Sequence, residues 1–393
     1  MSLPAVCRRE ARLLPDSSRV IIRPFIPGND QRITTLLGRV LALDEEETER
    51  GLEAVRAEFA SRHLDIEASW QANFERVRRL VFTHRPLSRS RELLLGAFFS
   101  SEYALESAAL FNPSIVPHPD QSGLEEGALR FLVSLRATGE GHISSIEFRS
   151  GVIARGSEIR MDPVSRFASA TDSIPNPDYE KKAFVAKLRE LGFDNEYAIS
   201  VMQDLPRSFS RKGLQSALDH ARRLTVPETR DLHRTLDCIQ WLADSNYEIQ
   251  FPPALALSER VIFPISPTES KGIEDARFVR FVEDDGSTRY YATYTAYDGR
   301  AILSQLIETD DFLHFKMSSL VGDGVRNKGM AIFPRRVGGR YAMLGRQDDE
   351  NIFIMFSDDP QYWSDPQLLL RPAELWESVK VGNCGSPIET EAG

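Results

Sequence analysis

Hydrophobic residues recur at two different spacings along this chain, and the spacing changes wherever the predicted structure changes. Up to residue 110 the apolar positions mostly follow the period of a helix. A short strand is predicted at 19–25, and Asp30 is a candidate N-cap for the first helix. The helices are predicted to begin near residue 31 and to span about 44–61, 65–81 and 88–109. We therefore expect residues 1–110 to form an N-terminal helical module.

Beyond residue 110 the pattern becomes the apolar and polar alternation that is typical of strands. Strands are predicted at about 129–136 and 142–149, and we interpret 111–175 as a first blade of a β domain. Helical spacing returns over 176–245, which we interpret as a helical insertion into that domain. Alternation resumes over 246–393, so the predicted fold is mainly β with two helical segments.

The last β segment repeats itself with an offset of roughly 50 residues. Tyr290-Tyr291 corresponds to Arg340-Tyr341, and Thr309-Asp310-Asp311 corresponds to Ser357-Asp358-Asp359. Repeats of this length with four strands each are typical of β-propeller blades, and we assign the acidic turns to structure. Residues 385–393 resemble the opening of another blade, which predicts that the natural chain continues past Gly393.

Composition narrows the class of protein. The 393 residues are 41% hydrophobic and 27% charged, with 48 Lys and Arg against 58 Asp and Glu and a net charge of −10. This balance argues against nucleic acid or an anionic membrane as a partner. Cys7, Cys238 and Cys384 are odd in number and far apart, so a reducing compartment, the cytoplasm, is expected. The sequence has no Cys/His pattern with metal-site spacing, and it shows neither a signal peptide nor an apolar run of membrane-spanning length.

The strongest candidate for chemistry is the stretch Gly272-Ile273-Glu274-Asp275-Ala276-Arg277, which opens a predicted strand after a loop rich in Pro and Ser. Simple alternation would put Asp275 and Arg277 on one face of that strand and Glu274 on the other. A carboxyl group beside a permanent cation can transfer a proton to a sugar or acyl substrate. The alternative is an ion pair that only ties the end of the strand.

Three motifs in this order resemble glycoside hydrolase family 130, the mannoside phosphorylases and β-1,2-mannosidases. They are Gly-Ile-Glu-Asp-Ala-Arg at 272–277, Tyr-Ala-Thr-Tyr-Thr-Ala-Tyr-Asp-Gly at 291–299 and Asn-Lys-Gly-Met-Ala-Ile-Phe-Pro at 327–334. The resemblance covers about 111–160 and 247–393. It implies a five-bladed β-propeller, incomplete in this sequence.

The resemblance also implies an enzyme that cleaves β-mannosides by inverting phosphorolysis to mannose 1-phosphate, with inorganic phosphate as co-substrate and no cofactor. Asp275 matches the family's catalytic acid, which delivers its proton to the glycosidic oxygen through a hydroxyl of the bound mannosyl unit. The expected phosphate ligands are Arg136, Lys328 and Arg346. The sequence departs from the family pattern at two positions next to these ligands. Gly329 directly follows Lys328 where the family motif has Asp, and Gly345 is found where phosphorylases usually carry a histidine.

Polar side chains near these motifs are candidates for binding the sugar. The expected substrate-binding residues are Asn112, Glu274, Arg277, Tyr297, Asp298, Asp348 and Asp349. For the Asx residues among them, turn stabilisation is the competing explanation. Core packing is the expected role of three other candidates, Tyr294, Trp363 and His118.

Two further functions stay open at this point. One is hydrolysis at the same site, with Glu274, Asp348, Asp349 or Glu350 as the carboxylate base. The other is a propeller that binds glycans or proteins without chemistry. The expected partner of the enzyme is an oligosaccharide or small glycoside, and the helical regions either cover the site or form the interface of a homo-oligomer.

Overall fold

The computed structural model describes residues 8–81, 83, 86–176, 178–224, 229–299, 302–383 and 385–390. Cys7, Cys384 and Gly393 lie outside the described residues. The helices are α1 (Asp30–Leu41), α2 (Glu45–Phe59), α3 (Ile66–Val77), α4 (Arg89–Phe98), α5 (Lys181–Glu190), α6 (Glu196–Gln203), α7 (Arg211–Leu224) and α8 (Arg230–Asp244).

The strands lie in two blocks on either side of helices α5 to α8. The first block is β1 (Val20–Pro24), β2 (Ser100–Ala104), β3 (Ala109–Pro117), β4 (Leu129–Thr138), β5 (Ser144–Ile153), β6 (Ile159–Met161), β7 (Ile174–Pro175), β8 (Tyr179–Glu180) and β9 (Ser208–Phe209). The second block is β10 (Tyr247–Gln250), β11 (Val261–Ile262), β12 (Gly272–Val282), β13 (Thr288–Tyr297), β14 (Ile302–Thr309), β15 (His314–Ser319), β16 (Ala331–Ile332), β17 (Tyr341–Gly345), β18 (Ile352–Ser357) and β19 (Gln367–Leu370).

The N-terminal helices begin at short polar side chains that accept hydrogen bonds from otherwise unpaired backbone N–H groups. The cap of α1 is Asn29, which accepts from the amides of residues 31 and 32, so the expectation that Asp30 is the cap was wrong. Asp44 and Glu47 form a reciprocal capping box at the start of α2. Each cap of this kind stabilises its helix by about 1 kcal/mol.

The fourth predicted helix was too long. It was expected to span 88–109, but α4 ends at Phe98, and residues 100–104 instead form β2, which pairs with β1. The register joins Val20 to Ala104, a partner distant in sequence. Local apolar spacing carries no information about such a partner, so tertiary pairing overrode the helical pattern.

The main sheets are antiparallel, and most neighbouring strands are consecutive in the chain, except at β11, β10 and β7. Their strand orders are β11-β5-β4-β3 with β6 on β5, β12-β13-β14-β15-β10-β7, and β16-β17-β18-β19. The expected mixture of sheets and two helical segments is confirmed. Across the described ranges the sheets do not close into a barrel, so a ring of five blades stays a prediction.

The repeat in the sequence corresponds to the last two of these sheets. In the first, Thr309 Oγ1 accepts from the amide of Phe312 at 3.0 Å, and in the second, Ser357 Oγ accepts from the amide of Asp359 at 3.1 Å. Phe312 and Trp363, which follow the two turns, are buried in the cores of their sheets. The structural role assigned to these turns is confirmed.

The helical segment α5 to α8 has its own apolar core and is fastened to the sheet beyond β15. Lys187 Nζ donates to Leu320 O at 2.8 Å, and Glu190 Oε1 accepts from the amide of Gly322 at 2.5 Å. Lys187 is buried, so its ammonium group depends on these partners for the solvation that it has lost.

A buried ion cluster fastens the N-terminal segment to β5. Arg19 pairs with Glu106 at 2.8 Å and with Glu147 at 2.9 Å, and Arg149 pairs with the same two carboxylates at 2.6 and 3.2 Å. All four side chains are at most 4% exposed. Burial raises the pKa of Glu147 to about 7 despite the two guanidinium groups beside it.

Gly96 in α4 gives a direct test of how the N-terminal helices pack. A β-carbon at Gly96 would lie 1.8 Å from the carbonyl oxygen of Trp70 in α3, far inside van der Waals contact. We expect Gly96→Ala to lower the free energy of unfolding by about 2 kcal/mol or more, measured by urea denaturation.

Gly38 in α1 provides the matched control, since a β-carbon there would meet nothing within 4 Å. Gly38→Ala should raise the free energy of unfolding by about 0.5–1 kcal/mol, because alanine loses less backbone entropy in a helix. Equal effects of the two substitutions would contradict the close contact between α3 and α4.

Candidate active site

Two β-bulges face each other at the centre of the site. In β3 the register slips between Phe111 and Ser114, and in β12 it slips between Glu274 and Arg277. Each bulge holds one residue in the left-handed region, Asn112 at φ +50° and Asp275 at φ +54°. Asn and Asp tolerate this conformation better than other residues with a β-carbon.

The two bulged residues are bonded to one another across the gap between the strands. Asn112 Nδ2 donates to Asp275 Oδ1. Ser114 fixes the two strands side by side, because its hydroxyl accepts from the amide of Phe278 at 2.9 Å. The carboxyl group of Asp275 is therefore held from both its own strand and the neighbouring sheet.

The bulge changes which side chains share a face. Glu274 pairs with Thr295 and Arg277 with Thr293, so Glu274 and Arg277 lie on the same face of β12. The simple alternation expected from the sequence, with Asp275 beside Arg277, was wrong because the bulge inserts an extra residue.

Arg136 brings the two neighbouring carboxylates together. Its guanidinium donates to Asp275 Oδ1 at 3.1 Å through Nη1 and to Glu274 Oε1 at 2.8 Å through Nη2. Arg136 and Glu274 are each 17% exposed and Asp275 is 20% exposed. These groups are shielded enough for strong charge–charge interaction and open enough to meet a ligand.

Three further cations approach from β12 and from the chain on either side of β16 and β17. Lys328 Nζ lies 3.5 Å from Glu274 Oε2, Arg277 Nη1 donates to Gly329 O at 2.6 Å, and Arg346 Nε donates to Lys328 O at 3.1 Å. We call this group the Asp275 cluster, which consists of Asn112, Arg136, Glu274, Asp275, Arg277, Lys328 and Arg346. Its ionisable members carry four positive and two negative charges when all are ionised.

Sequence reasoning missed the residues that hold Arg136 in place. Its Nε donates to Ser144 Oγ at 2.9 Å, and its guanidinium carbon lies 5.0 Å from the centre of the Phe111 ring. Phe111 is the cross-strand partner of Arg136 in the pairing of β3 and β4. The pair of Phe111 and Arg136 can be recognised only from this register, because 24 residues lie between them in the sequence.

At position 345, where by the family resemblance phosphorylases usually carry a histidine, a side chain would have to displace Gln347. A β-carbon at Gly345 would lie 2.5 Å from Nε2 of Gln347, whose amide donates to Gly324 O at 2.8 Å. Gln347 was not among the expected site residues. Its side chain occupies the space next to the backbone where a side chain at 345 would begin.

Asp348 and Asp349 lie in the turn between β17 and β18, directly after Arg346. Asp348 accepts from the amides of Glu350 and Asn351, and these contacts, led by the Asn351 amide, lower the pKa of its carboxyl group. Asp349 pairs with Lys380 at 3.3 Å, and this hydrogen bond lowers the pKa of Asp349. Asp348 thus stabilises the turn, as the competing explanation anticipated.

Tyr297 and Asp298 lie at the same end of the β12–β13 pair as Asp275. Tyr297 pairs with Gly272 in the register of the two strands, and its carbonyl accepts from the amide of Lys271 at 2.9 Å. The carbonyl of Asp298 accepts a long hydrogen bond of 3.5 Å from the Ser270 hydroxyl.

The aromatic candidates divide between core and turn. Tyr294 is buried and donates to Glu269 Oε1 at 2.7 Å, and Trp363 is buried and donates to Pro360 O at 2.8 Å. His118 Nδ1 accepts from the amide of Asp120 at 3.0 Å in a surface turn. Burial lowers the pKa of His118.

Within the ranges that the structure describes, no group of three or more His, Cys, Asp or Glu side chains is arranged to hold a metal ion. Over the same ranges no helix is both long and apolar enough to cross a membrane.

The Asp275 cluster joins a carboxyl group, which can donate a proton, to an excess of cations, which can bind an anion. Bidentate guanidinium groups and an ammonium group suit the oxygens of phosphate. An acid at one side of a sugar and an anion at the other is the arrangement that inversion at an anomeric carbon requires.

Asp348 provides a test of the turn that follows Arg346. Its pKa is lowered from 3.8 in the folded chain, so its contribution to stability is present above pH 3.8 and lost as pH falls through the lower folded value. We expect Asp348→Ala to reduce the free energy of unfolding by about 1 kcal/mol or less near pH 7, with the difference from wild type becoming smaller as pH falls below 3.8.

Asp348→Asn is the matched control, because asparagine keeps the oxygen that accepts from the two amides. In urea denaturation it should retain the part of the stability that comes from the accepting oxygen, without the dependence on pH that the Asp348 carboxylate adds. A wild-type advantage over Asp348→Ala that stays unchanged as pH falls below 3.8 would contradict the role of the ionised carboxylate.

The sequence was compared with known proteins. A family model described as beta-1,4-mannooligosaccharide phosphorylase, that of glycoside hydrolase family 130, matches residues 242–393. A 1,2-beta-oligomannan phosphorylase of Thermoanaerobacter sp. (strain X514) is 33% identical over 143 residues, which cover 35% of this chain and 46% of that protein. A beta-1,2-mannobiose phosphorylase of Listeria innocua serovar 6a is 30% identical over 139 residues, which cover 34% of this chain and 37% of that protein.

The aligned residues thus span less than half the length of these curated relatives. Among solved structures, the beta-1,2-mannobiose phosphorylase from Listeria innocua in complex with beta-1,2-mannobiose has a TM-score of 0.32 and 16% identity, covering 74% of this chain and 67% of that chain. Residues 242–393 are thus similar in sequence to glycoside hydrolase family 130 and to the phosphorylases that share this segment.

Proposed function

We propose that this protein cleaves β-mannosides by inverting phosphorolysis, with inorganic phosphate as co-substrate and mannose 1-phosphate as product. The observation that carries the proposal is the gathering of Arg136, Lys328 and Arg346 around the paired carboxylates Glu274 and Asp275. With Arg277, the cluster has an excess of two positive charges when all its ionisable groups are charged, and of three when Asp275 holds a proton. A phosphate dianion would balance that excess.

In the proposed reaction Asp275 holds the proton. The proton passes through a hydroxyl of the mannosyl unit to the glycosidic oxygen while the bond from that oxygen to the anomeric carbon breaks. A phosphate oxygen forms the new bond from the opposite face, so the configuration inverts and the released acceptor sugar keeps the proton. Asn112 and Arg136, which both bond Asp275, would fix the direction of its carboxyl group.

The sugar is proposed to contact the polar residues around the acid. Glu274 and Arg277 share the face of β12 next to Asp275, and Tyr297 and Asp298 lie at the same end of the sheet. Asp348 and Asp349 are proposed to form the rim beside Arg346, where the first stabilises the turn. Planar polar groups of this kind suit the hydroxyls of a pyranose ring.

Hydrolysis at the same site is the second candidate, and Gly345 is the observation that favours it, since phosphorylases usually carry a histidine there. A hydrolase needs a carboxylate base to activate water. Glu274 faces Arg136 and Lys328 with its two oxygens, and Asp349 is paired with Lys380. These partners favour phosphorolysis over hydrolysis.

The wider organisation that we propose has four parts: an N-terminal helical module at 1–110, a first blade region at 111–175, a helical insertion at 176–245 and further blades at 246–393. The blades would belong to a five-bladed β-propeller with the Asp275 cluster in its central funnel. We further propose a cytoplasmic location and a homo-oligomer formed through the helical regions.

Withdrawal of phosphate separates phosphorolysis from hydrolysis. With a β-linked mannobiose as substrate, we expect formation of mannose 1-phosphate with phosphate present and a loss of cleavage of at least about 100-fold without it, since phosphate supplies the attacking oxygen. Mannose 1-phosphate and free mannose are both measured by ion chromatography. Free mannose released at an equal rate without phosphate would establish hydrolysis instead.

Asp275→Asn separates an enzyme from a binding module. Asparagine keeps the shape of the side chain and tolerates the left-handed backbone, but it has no proton to deliver. We expect the turnover rate to fall about 100-fold or more, while the affinity for mannobiose in calorimetry changes less than about threefold.

The matched control is Asp310→Asn, the same change at an exposed turn where Asp310 pairs with Arg289 at 3.0 Å. It should leave both turnover and affinity as in wild type. Full turnover in Asp275→Asn would remove Asp275 as the acid, and mannobiose binding without turnover in the wild type would favour the binding module.

A further inference from the structure

The proposed chemistry uses the Lys328 side chain of the turn at 327–329 but not the backbone of that turn. Asn327 and Gly329 lie in the left-handed region, at φ +63° and +84°. The backbone carbonyl oxygens of the turn accept from two arginines: Lys328 O from Arg346, directly after β17, and Gly329 O from Arg277 in β12. One turn thus accepts a hydrogen bond from each of the two guanidinium groups.

Gly329 lies in contact with both of these arginines. A β-carbon at this position would lie 3.1 Å from Arg346 Nε and 3.2 and 3.3 Å from the two terminal nitrogens of Arg277. These distances are tighter than ordinary van der Waals contact, and both neighbours are the charged ends of side chains. Any residue with a β-carbon would therefore push at least one guanidinium group away from the turn.

We infer that Gly329 is a positioning residue that sets the spacing between Arg277 and Arg346 for one oxyanion of phosphate size. Two guanidinium groups beside one glycine repel each other, and an anion between them relieves that repulsion. The orientation of the two guanidinium groups decides whether both can reach the same anion, because the donors of each form a rigid planar fork. The inference rests on the proposed phosphorolysis and deepens it by giving Arg277 a contact to phosphate in addition to its proposed contact to the sugar.

Asn327 and Lys328 also hold the turn through contacts that do not involve the two guanidinium groups. Asn327 Oδ1 accepts from the amide of Lys328 at 2.9 Å, and Asn327 Nδ2 donates to Arg346 O at 3.3 Å. The Lys328 side chain reaches Glu274 at 3.5 Å. A displacement of the arginines by a side chain at 329 would therefore leave the turn itself in place.

The test is Gly329→Ala, with Gly286→Ala as the control. Gly286 lies in the hairpin between β12 and β13 at φ +83°, nearly the same φ as Gly329, and a β-carbon there would meet nothing within 4 Å. Both substitutions place alanine at a positive φ, but only Gly329→Ala displaces arginines. The two readouts are the dissociation constant for inorganic phosphate, by calorimetry, and the NMR signal of the Arg346 Nε–H group.

We expect Gly329→Ala to weaken phosphate binding about tenfold or more, the effect of losing one charge-assisted contact. The KM for phosphate should rise by the same factor, while the KM for mannobiose and the melting temperature should match those of Gly286→Ala. The Arg346 Nε–H signal should shift and exchange faster with solvent, because the added methyl group displaces Nε from Lys328 O.

Arg346→Lys keeps the proposal testable if Gly329→Ala does not fold. Lysine retains the charge but lacks the Nε–H donor, so phosphate affinity should fall by a similar factor at an unchanged melting temperature. Unchanged phosphate affinity in either folded variant, or an unchanged Arg346 Nε–H signal in Gly329→Ala, would overturn the inference. Absence of phosphate binding in the wild type would overturn phosphorolysis and the phosphate-binding part of the inference, whereas a shifted Arg346 Nε–H signal in Gly329→Ala would still show that Gly329 positions Arg346.

Discussion

The site depends on a hydrogen bond between two strained positions, Asn112 and Asp275, in bulges of neighbouring strands. Each bulge costs ladder hydrogen bonds and places a residue that is not glycine at positive φ. The structure tolerates this because the two side chains bond one another and Ser114 locks the backbones of β3 and β12 together. The strained backbone therefore lies at the position where the carboxyl group of Asp275 projects from the strand.

The bulge in β12 also explains the charge arrangement. In a regular strand Glu274 and Asp275 would point to opposite faces, and one guanidinium group could not reach both. With the bulge, Arg136 bonds the two carboxylates at once. The repulsion between neighbouring negative charges is thereby offset.

Buried polar groups elsewhere hold the elements that carry the site. Arg19, Arg149, Glu106 and Glu147 form a closed set of ion pairs that joins the N-terminal segment to β5, the neighbour of the strand that bears Arg136. Glu269, in the loop before β12, is fully buried, and burial raises its pKa. It accepts from the hydroxyls of Tyr247 and Tyr294, so its position is tied to the two strands that bear them. Such groups stabilise a fold only as complete sets, since each would be costly to bury alone.

The sequence by itself determined the alternation of helical and β segments, the repeat after residue 246, the resemblance of three motifs to a family and the identity of the charged residues. These depend on local period and on residue type, which the chain carries in one dimension. Tertiary structure alone decided that α4 stops at Phe98, that Glu274 rather than Asp275 shares a face with Arg277, and that Gly329 lies between two arginines. Each of these depends on a partner distant in sequence, and a strand's register or a bulge is fixed only when that partner is in place.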